Sequence, residues 1–193
     1  MNAKVDLAFP HAWNAEILPA RPLILPSRHF VYPRDAEEVE RGALEVLIRP
    51  DFVRPDSDAP FLATFALGFA DPIAPSGVWS CPGADDLCAV AGGYAYIVNT
   101  RAPERFSHLE FQPVLHIEPL VEHHLLLFAG SYALLAWGRG GLAWKTARLS
   151  SEGLRIAEIR GGELHGFGWD LLADREVPFT VDLRTGKKLA DSS

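Results

Sequence analysis

The stretch LLLFAGSYALLAWGRGGLAWK, residues 125–145, is the part of the sequence that decides the fold class. It consists of three short apolar and aromatic runs, separated by the turn residues Gly130-Ser131 and Gly140-Gly141. Apolar runs of about four to eight residues bounded by glycine are typical of strands, whereas a helix shows a 3.6-residue apolar period over roughly ten residues or more. The stretch therefore predicts antiparallel strands joined by tight turns.

The same pattern extends in both directions from this stretch. Glycine pairs that favour two-residue hairpin turns recur at Gly92-Gly93 and Gly161-Gly162, and no helical apolar stripe is longer than about two turns. We therefore predict an all-β fold of antiparallel meanders, packed either as a sandwich or as an incomplete, propeller-like stack. The predicted strands after residue 60 are 61–69, 87–91, 94–99, 114–120, 125–129, 132–137, 142–149, 154–159, 163–169 and 177–183.

Frequent prolines set the first sixty residues apart from the rest. Proline fixes φ and removes a backbone donor, so this part is predicted to be extended and to lie over the surface of the remaining chain. We predict one domain over 1–193, with 1–60 as a wrapping segment and 61–193 as the β-meander core. The prolines concerned are Pro19, Pro22, Pro26, Pro33, Pro50, Pro55 and Pro60.

Three local predictions fall within this proline-rich segment. Residues 43–49 alternate like a strand. Asp35 is predicted to cap a short helix that runs through Glu38 and ends at Gly42. Residues 54–60 are predicted to form an exposed loop, since they contain two prolines together with aspartate and serine.

Composition excludes several classes of function. The chain of 193 residues has 18 Lys and Arg against 25 Asp and Glu, which gives a net charge of −7. It has no basic run able to neutralise phosphates, so neither nucleic acid nor an anionic membrane surface is expected as a partner. The first residues lack a signal-peptide pattern, and no stretch reaches the roughly 20 apolar residues of a membrane helix, which predicts a cytoplasmic location. Cys81 and Cys88 are expected to be thiols rather than a lasting disulfide.

Histidine and glutamate cluster in one segment, at His116, Glu118, His123 and His124. Residues two apart on a strand share a face, so His116 and Glu118 are predicted to point together. Imidazole and carboxylate are common ligands of zinc and iron, which makes this cluster a candidate site for a divalent metal. The alternative is a solvated face, with residues 122–124 in a hairpin turn.

A second candidate set lies toward the C-terminus and consists of Trp137, Trp144, His165, Trp169 and Asp170. Tryptophans near a carboxylate at a strand end can form a ligand-binding or partner-binding surface. The alternative is that the tryptophans fill the core and that Asp170 caps a turn. Residues 138–143 fit the glycine pattern of a dinucleotide site, but a strand-like run follows where a helix is required, so a hairpin turn is predicted there.

Two hairpin-like segments carry a resemblance. The runs at 134–138 and 141–145, and again 179–189, resemble blade hairpins of quinoprotein-type propellers. The pentapeptide at 91–95 also recurs at 129–133, and a period near 40 residues is typical of a propeller blade. Residues 141–186 further resemble a group of uncharacterised bacterial β-rich proteins, which implies a bacterial origin.

Two hypotheses for function follow from these patterns. The first is a non-catalytic binding or protein-interaction domain that engages a protein partner or a small ligand and carries no cofactor. Exposed sheet edges would also be compatible with a homodimer. The second is a metal-dependent hydrolase-type enzyme, in which His116, Glu118 and either His123 or His124 hold the metal and a bound water acts as nucleophile.

Overall fold

The computed structural model describes residues 3–34, 42–51, 59–68 and 74–190. Within them it contains sixteen β-strands, and its one helical element is a 3₁₀ turn, Val121–His123. The all-β prediction is therefore confirmed. The chain divides into two compact units, Met1–Val114 (unit 1) and Leu115–Ser193 (unit 2). The predicted boundary at residue 60 lies inside unit 1, and the single domain over 1–193 stays a prediction.

Unit 1 contains two sheets. One has the strand order β2-β4-β5-β3 and the other has the order β1-β6-β7-β8-β9. Neighbouring strands are antiparallel, except that β3 runs parallel to β5 and β1 runs parallel to β6. The strands are β1 (Lys4–Asp6), β2 (Trp13–Leu18), β3 (His29–Tyr32), β4 (Ala43–Pro50), β5 (Phe61–Ala66), β6 (Gly77–Ser80), β7 (Asp86–Ala91), β8 (Tyr94–Asn99) and β9 (Phe106–His108).

The core of unit 1 lies between its two sheets. Alternate residues of β4 and β5 face the core, as period-two alternation requires, and they pack against residues of β7 and β8. The resulting cluster of buried side chains includes Trp13, Tyr32, Val46, Ile48, Phe61, Phe65, Leu87, Ala89, Tyr96 and Val98.

The proline-rich segment supplies β1, β2, β3 and β4 together with buried core residues such as Trp13 and Tyr32. Four of its prolines lie outside the strands, where a missing donor costs little. Pro19, Pro22 and Pro26 connect β2 to β3, and Pro60 directly precedes β5. The predicted helix from Asp35 and most of the predicted loop at 54–60 fall outside the described residues.

Unit 2 consists of two meanders in which each strand pairs with its neighbour in sequence. One sheet has the order β10-β11-β12-β13 and the other has the order β14-β15-β16, and all pairs are antiparallel. The strands are β10 (His116–Leu120), β11 (Leu125–Ala129), β12 (Leu134–Gly138), β13 (Gly141–Lys145), β14 (Leu154–Arg160), β15 (Glu163–Asp170) and β16 (Arg175–Asp182).

The turn predictions for this unit are confirmed. Gly161 and Gly162 have φ values of 60° and 83°, which is the left-handed pair that a type I′ hairpin turn requires. Residues 138–143 form the β12–β13 hairpin and not the start of a helix. The two sheets share one buried cluster, so unit 2 is a sandwich; its members include Leu127, Leu134, Trp144, Leu164, Phe179 and Val181.

Candidate functional site

A groove in unit 2 lies between β10 and β14. Each is the edge strand of its own sheet, and no strand among residues 115–190 pairs with the outer side of either one. The groove opens to solvent with a cavity of about 530 Å³. His116 and Glu118 line it on the β10 side, and residues 154–159 line it on the β14 side.

Two further cavities adjoin this one. The first shares Glu118 and Ile159 with it and extends to Glu122, His123 and Gly161. The second begins at His123 and the Gly161-Gly162 turn and ends at Asp182 to Arg184. Neighbouring cavities share lining residues, so the three cavities lie side by side. We call the space between residues 116–123 and residues 154–162 the edge groove.

The backbone of β14 offers hydrogen-bonding groups to the edge groove. The carbonyl oxygen of Arg155 points toward the neighbouring strand β15. A Cβ atom added to Gly166, which is on β15, would lie 2.7 Å from this oxygen. Backbone groups of successive residues in an antiparallel strand point to opposite sides, so those of Leu154 and Ile156 point into the groove. β14 contains no proline, whereas β10 contains Pro119 and lacks that donor. β14 is therefore the more complete template for a further strand.

A β-bulge between Ile156 and Glu158 sets the side-chain pattern of β14. Arg155 lies opposite Phe167 and Glu158 lies opposite His165, so both charged side chains are on the outer face of the sheet. The guanidinium of Arg155 lies over the ring of Phe167, 4.6 Å from its centroid.

The other face of β14 is apolar. Leu154, Ile156 and Ile159 pack against the core of unit 2. The β14 side of the edge groove therefore combines an apolar strip with a charged rim. This is the surface that an extended, amphipathic segment would need.

The four candidate metal ligands are not brought together. Nε2 of His116 lies 3.3 Å from Oε2 of Glu118, and these side chains are 58% and 43% exposed. His123 and His124 lie at the opposite end of β10, in and directly after the 3₁₀ turn, with His124 at a φ of 52°. In the part of the chain that the structure describes, no three His, Cys, Asp or Glu side chains group closely enough to hold a metal ion.

The metal hypothesis gives a direct prediction. We expect the tag-free protein to carry no stoichiometric zinc, iron or manganese, because the pair His116 and Glu118 is one ligand short of the three protein ligands of a typical catalytic zinc site. Plasma mass spectrometry of the purified protein measures this content. Near-stoichiometric metal that disappears in the His116→Ala variant would contradict the prediction and favour the enzyme hypothesis.

The C-terminal aromatic set is dispersed over unit 2. Trp137 and Trp144 are buried, and Nε1 of Trp144 donates to the carbonyl oxygen of Leu183 at 2.6 Å. Asp170 accepts hydrogen bonds from the backbone N–H groups of Leu172 and Ala173, as expected of a turn cap.

His165 is a neighbour of Thr180 and Glu163 on the outer face of the second sheet. None of Trp137, Trp144, His165, Trp169 and Asp170 is among the residues that line the edge groove. The alternative of core packing and turn capping thus describes Trp137, Trp144 and Asp170.

Unit 1 contains a buried polar row that sequence reasoning missed. Glu45 is only 5% exposed; it accepts hydrogen bonds from Nε of Arg21 at 3.0 Å and from Oγ1 of Thr64 at 2.6 Å. Nε2 of His29 lies 2.8 Å from the same Thr64 oxygen. The available signal was a glutamate inside the apolar run of β4, since a charge at such a position needs a partner.

None of the described residues forms a helix long and apolar enough to cross a membrane.

Comparison with known proteins does not identify a family for this chain. A scan against protein-family models finds no match, and a search of curated proteins finds none either.

Proposed function

We propose that the protein is a non-catalytic binding module whose edge groove takes an extended segment of a protein chain as an added strand on β14. The observation that carries this proposal is a groove bordered by two strand edges, neither of which pairs on its outer side with a strand among residues 115–190. An added strand gains main-chain hydrogen bonds from such an edge, and its alternate side chains provide selectivity.

The length of β14 sets the size of the segment. β14 has seven residues, and strands rise by about 3.3 Å per residue, so its edge is roughly 20 Å long. A segment of about six extended residues would cover it. This size suits a short linear motif or one strand of another protein.

The side chains of the groove set the chemistry of the segment. One face of an added strand would extend the apolar strip formed by Leu154, Ile156 and Ile159. Its other face would meet Arg155 and Glu158 on the outer surface of the sheet. Because strand side chains alternate between faces, we propose a segment with alternating apolar and charged residues.

The metal-dependent enzyme is the second candidate, and it has weaker support. Its favourable observation is that His116 and Glu118 lie side by side in the same groove. Both side chains are well exposed, which supports solvated polar groups at a binding surface more than a catalytic pair.

We also propose a cytoplasmic, bacterial setting. Cys81 and Cys88 are free and buried, which supports a reducing compartment. Burial raises the pKa of both thiols, so they are poor nucleophiles. The bacterial part of this proposal rests on the resemblance of residues 141–186 to bacterial proteins.

A selected peptide tests the groove directly. Peptides from a random phage-displayed library would be selected on the immobilised protein and then titrated by calorimetry. Ala157 is exposed at the centre of β14 and lines the groove, so Ala157→Trp should fill it. We expect this variant to weaken binding at least tenfold, or about 1.4 kcal/mol.

The matched control is Ala143→Trp, at an exposed position of β13 outside the edge groove. This control should bind the peptide as the wild type does. Equal affinity of all three proteins would place the binding surface elsewhere, and failure to select any peptide above background would also count against the proposal.

A further inference from the structure

We infer that a second copy of the chain supplies the added strand, so that β14 pairs with β14 of that copy about a two-fold axis. This inference rests on the proposed function and names the partner of the same site. It begins from the self-complementary sequence of β14, Leu-Arg-Ile-Ala-Glu-Ile-Arg.

One antiparallel register makes the strand complementary to itself. When Arg155 lies opposite Glu158 of the second copy, Leu154 lies opposite Ile159 and Ile156 lies opposite Ala157. Two-fold symmetry produces each of these pairs twice. Apolar residues then meet apolar residues, and each arginine meets a glutamate.

The β-bulge is what permits this register. In a regular strand, residues 155 and 158 would point to opposite faces of the sheet. The bulge between Ile156 and Glu158 places both on the outer face. The register therefore brings together side chains that lie on the same face of the combined sheet, which cross-strand pairs require.

A neighbouring register is unfavourable by comparison. With Ala157 opposite Ala157 of the second copy, Ile156 would lie opposite Glu158 and Arg155 would lie opposite Ile159. Charged residues would then face apolar ones along most of the strand. Charge complementarity thus favours the first register over this neighbouring one.

Two other edge strands of unit 2, β10 and β16, are less suited to pairing than β14. β10 contains Pro119, and β16 contains Pro178 and forms a bridge from Val181 to Lys188. Stable interfaces bury about 1,200–2,000 Å² in total, more than one pair of seven-residue strands provides. We therefore expect a dimer that dissociates on dilution.

A charge-swap experiment tests the inference by analytical ultracentrifugation of the full chain over a range of concentrations. The wild type should show a monomer–dimer equilibrium. Arg155→Glu and Glu158→Arg should each weaken the dimer at least tenfold, because like charges then face each other twice. The double variant R155E/E158R should regain dimerisation, since it restores both pairs with reversed sign.

Glu176→Gln is the matched control. Arg155 contacts Glu176 within the chain at 3.3 Å, and this variant removes that contact without changing the proposed pairs between copies. The control should dimerise like the wild type. Circular dichroism would verify the fold of all variants, whose substituted side chains are exposed.

The outcomes separate this inference from the proposed function. A monomeric wild type at every concentration, unchanged dimerisation of the single variants, or no recovery in the double variant would overturn the inference. If the selected peptide then still binds the wild type and not Ala157→Trp, the binding module stands without the dimer. Recovery in the double variant supports both proposals.

Discussion

Replacement of Glu45 by alanine is expected to lower the free energy of unfolding by about 3 kcal/mol. The carboxylate of Glu45 is almost fully buried and is the common acceptor of Arg21 and Thr64. Its removal leaves the buried Thr64 hydroxyl without this acceptor and breaks the 3.0 Å ion pair with the guanidinium of Arg21, whose side chain is 28% exposed. Breaking one side of a buried pair costs more than the pair itself contributes, because the remaining group stays desolvated.

The control for this prediction lies on the same sheet. Glu16 and Arg49 form a cross-strand pair between β2 and β4 at 3.2 Å, but both side chains are about half exposed. Glu16→Ala should therefore change the free energy of unfolding by less than about 1 kcal/mol. Urea unfolding followed by tryptophan fluorescence measures both variants, and similar losses for the two would contradict the prediction.

Replacement of Gly166 by alanine should cost about 2–3 kcal/mol of stability. Gly166 lies on β15 opposite Ile156 and Phe179. A Cβ at this position would lie 2.5 Å from the ring of Phe179 and 2.7 Å from the carbonyl oxygen of Arg155. Phe179 is buried in the core of unit 2, so either this ring or the backbone of β14 must move.

Gly138→Ala is the control, because its Cβ would meet nothing closer than 3.6 Å. Gly138, like Gly166, lies in a strand and has no positive φ. Thermal unfolding should separate the two variants clearly. An equal effect would mean that loss of glycine flexibility, and not the close approach, determines the cost.

The Gly166 variant also connects stability to the proposed binding surface. One of its two close contacts is backbone of β14, the strand that borders the edge groove. If β14 moves to relieve the contact, binding of the selected peptide should weaken together with stability. If only Phe179 moves, stability should fall and binding should stay unchanged.

Local sequence patterns predicted unit 2 well because, within each of its sheets, every strand pairs with its neighbour in sequence. The glycine pair Gly161-Gly162 determines a tight hairpin, and an apolar run on each side of a turn pairs with its neighbour. The parallel pairings of β1 with β6 and of β3 with β5 join residues far apart in sequence. No local pattern specifies such pairs. The sequence patterns also failed to predict the strands β1, β2, β3, β6 and β9.

The candidate site was predictable only in part. The spacing of His116 and Glu118 correctly placed their side chains together, because residues two apart share a strand face. The position of His123 at the far end of β10 depends on where the strand ends. Predicting the groove requires knowing which strands lie at sheet edges. The sequence of β14 does not distinguish it from a strand in the middle of a sheet.

The buried polar row of unit 1 also fixes the positions of hydrogens. Arginine can only donate, so Arg21 uses one carboxylate oxygen of Glu45, and the single hydroxyl proton of Thr64 goes to the other. The Thr64 oxygen then has only lone pairs left for His29, whose Nε2 must carry a hydrogen. A neutral imidazole is thereby held as the Nε2–H tautomer, and three strands are joined by hydrogen bonds that all point toward β4.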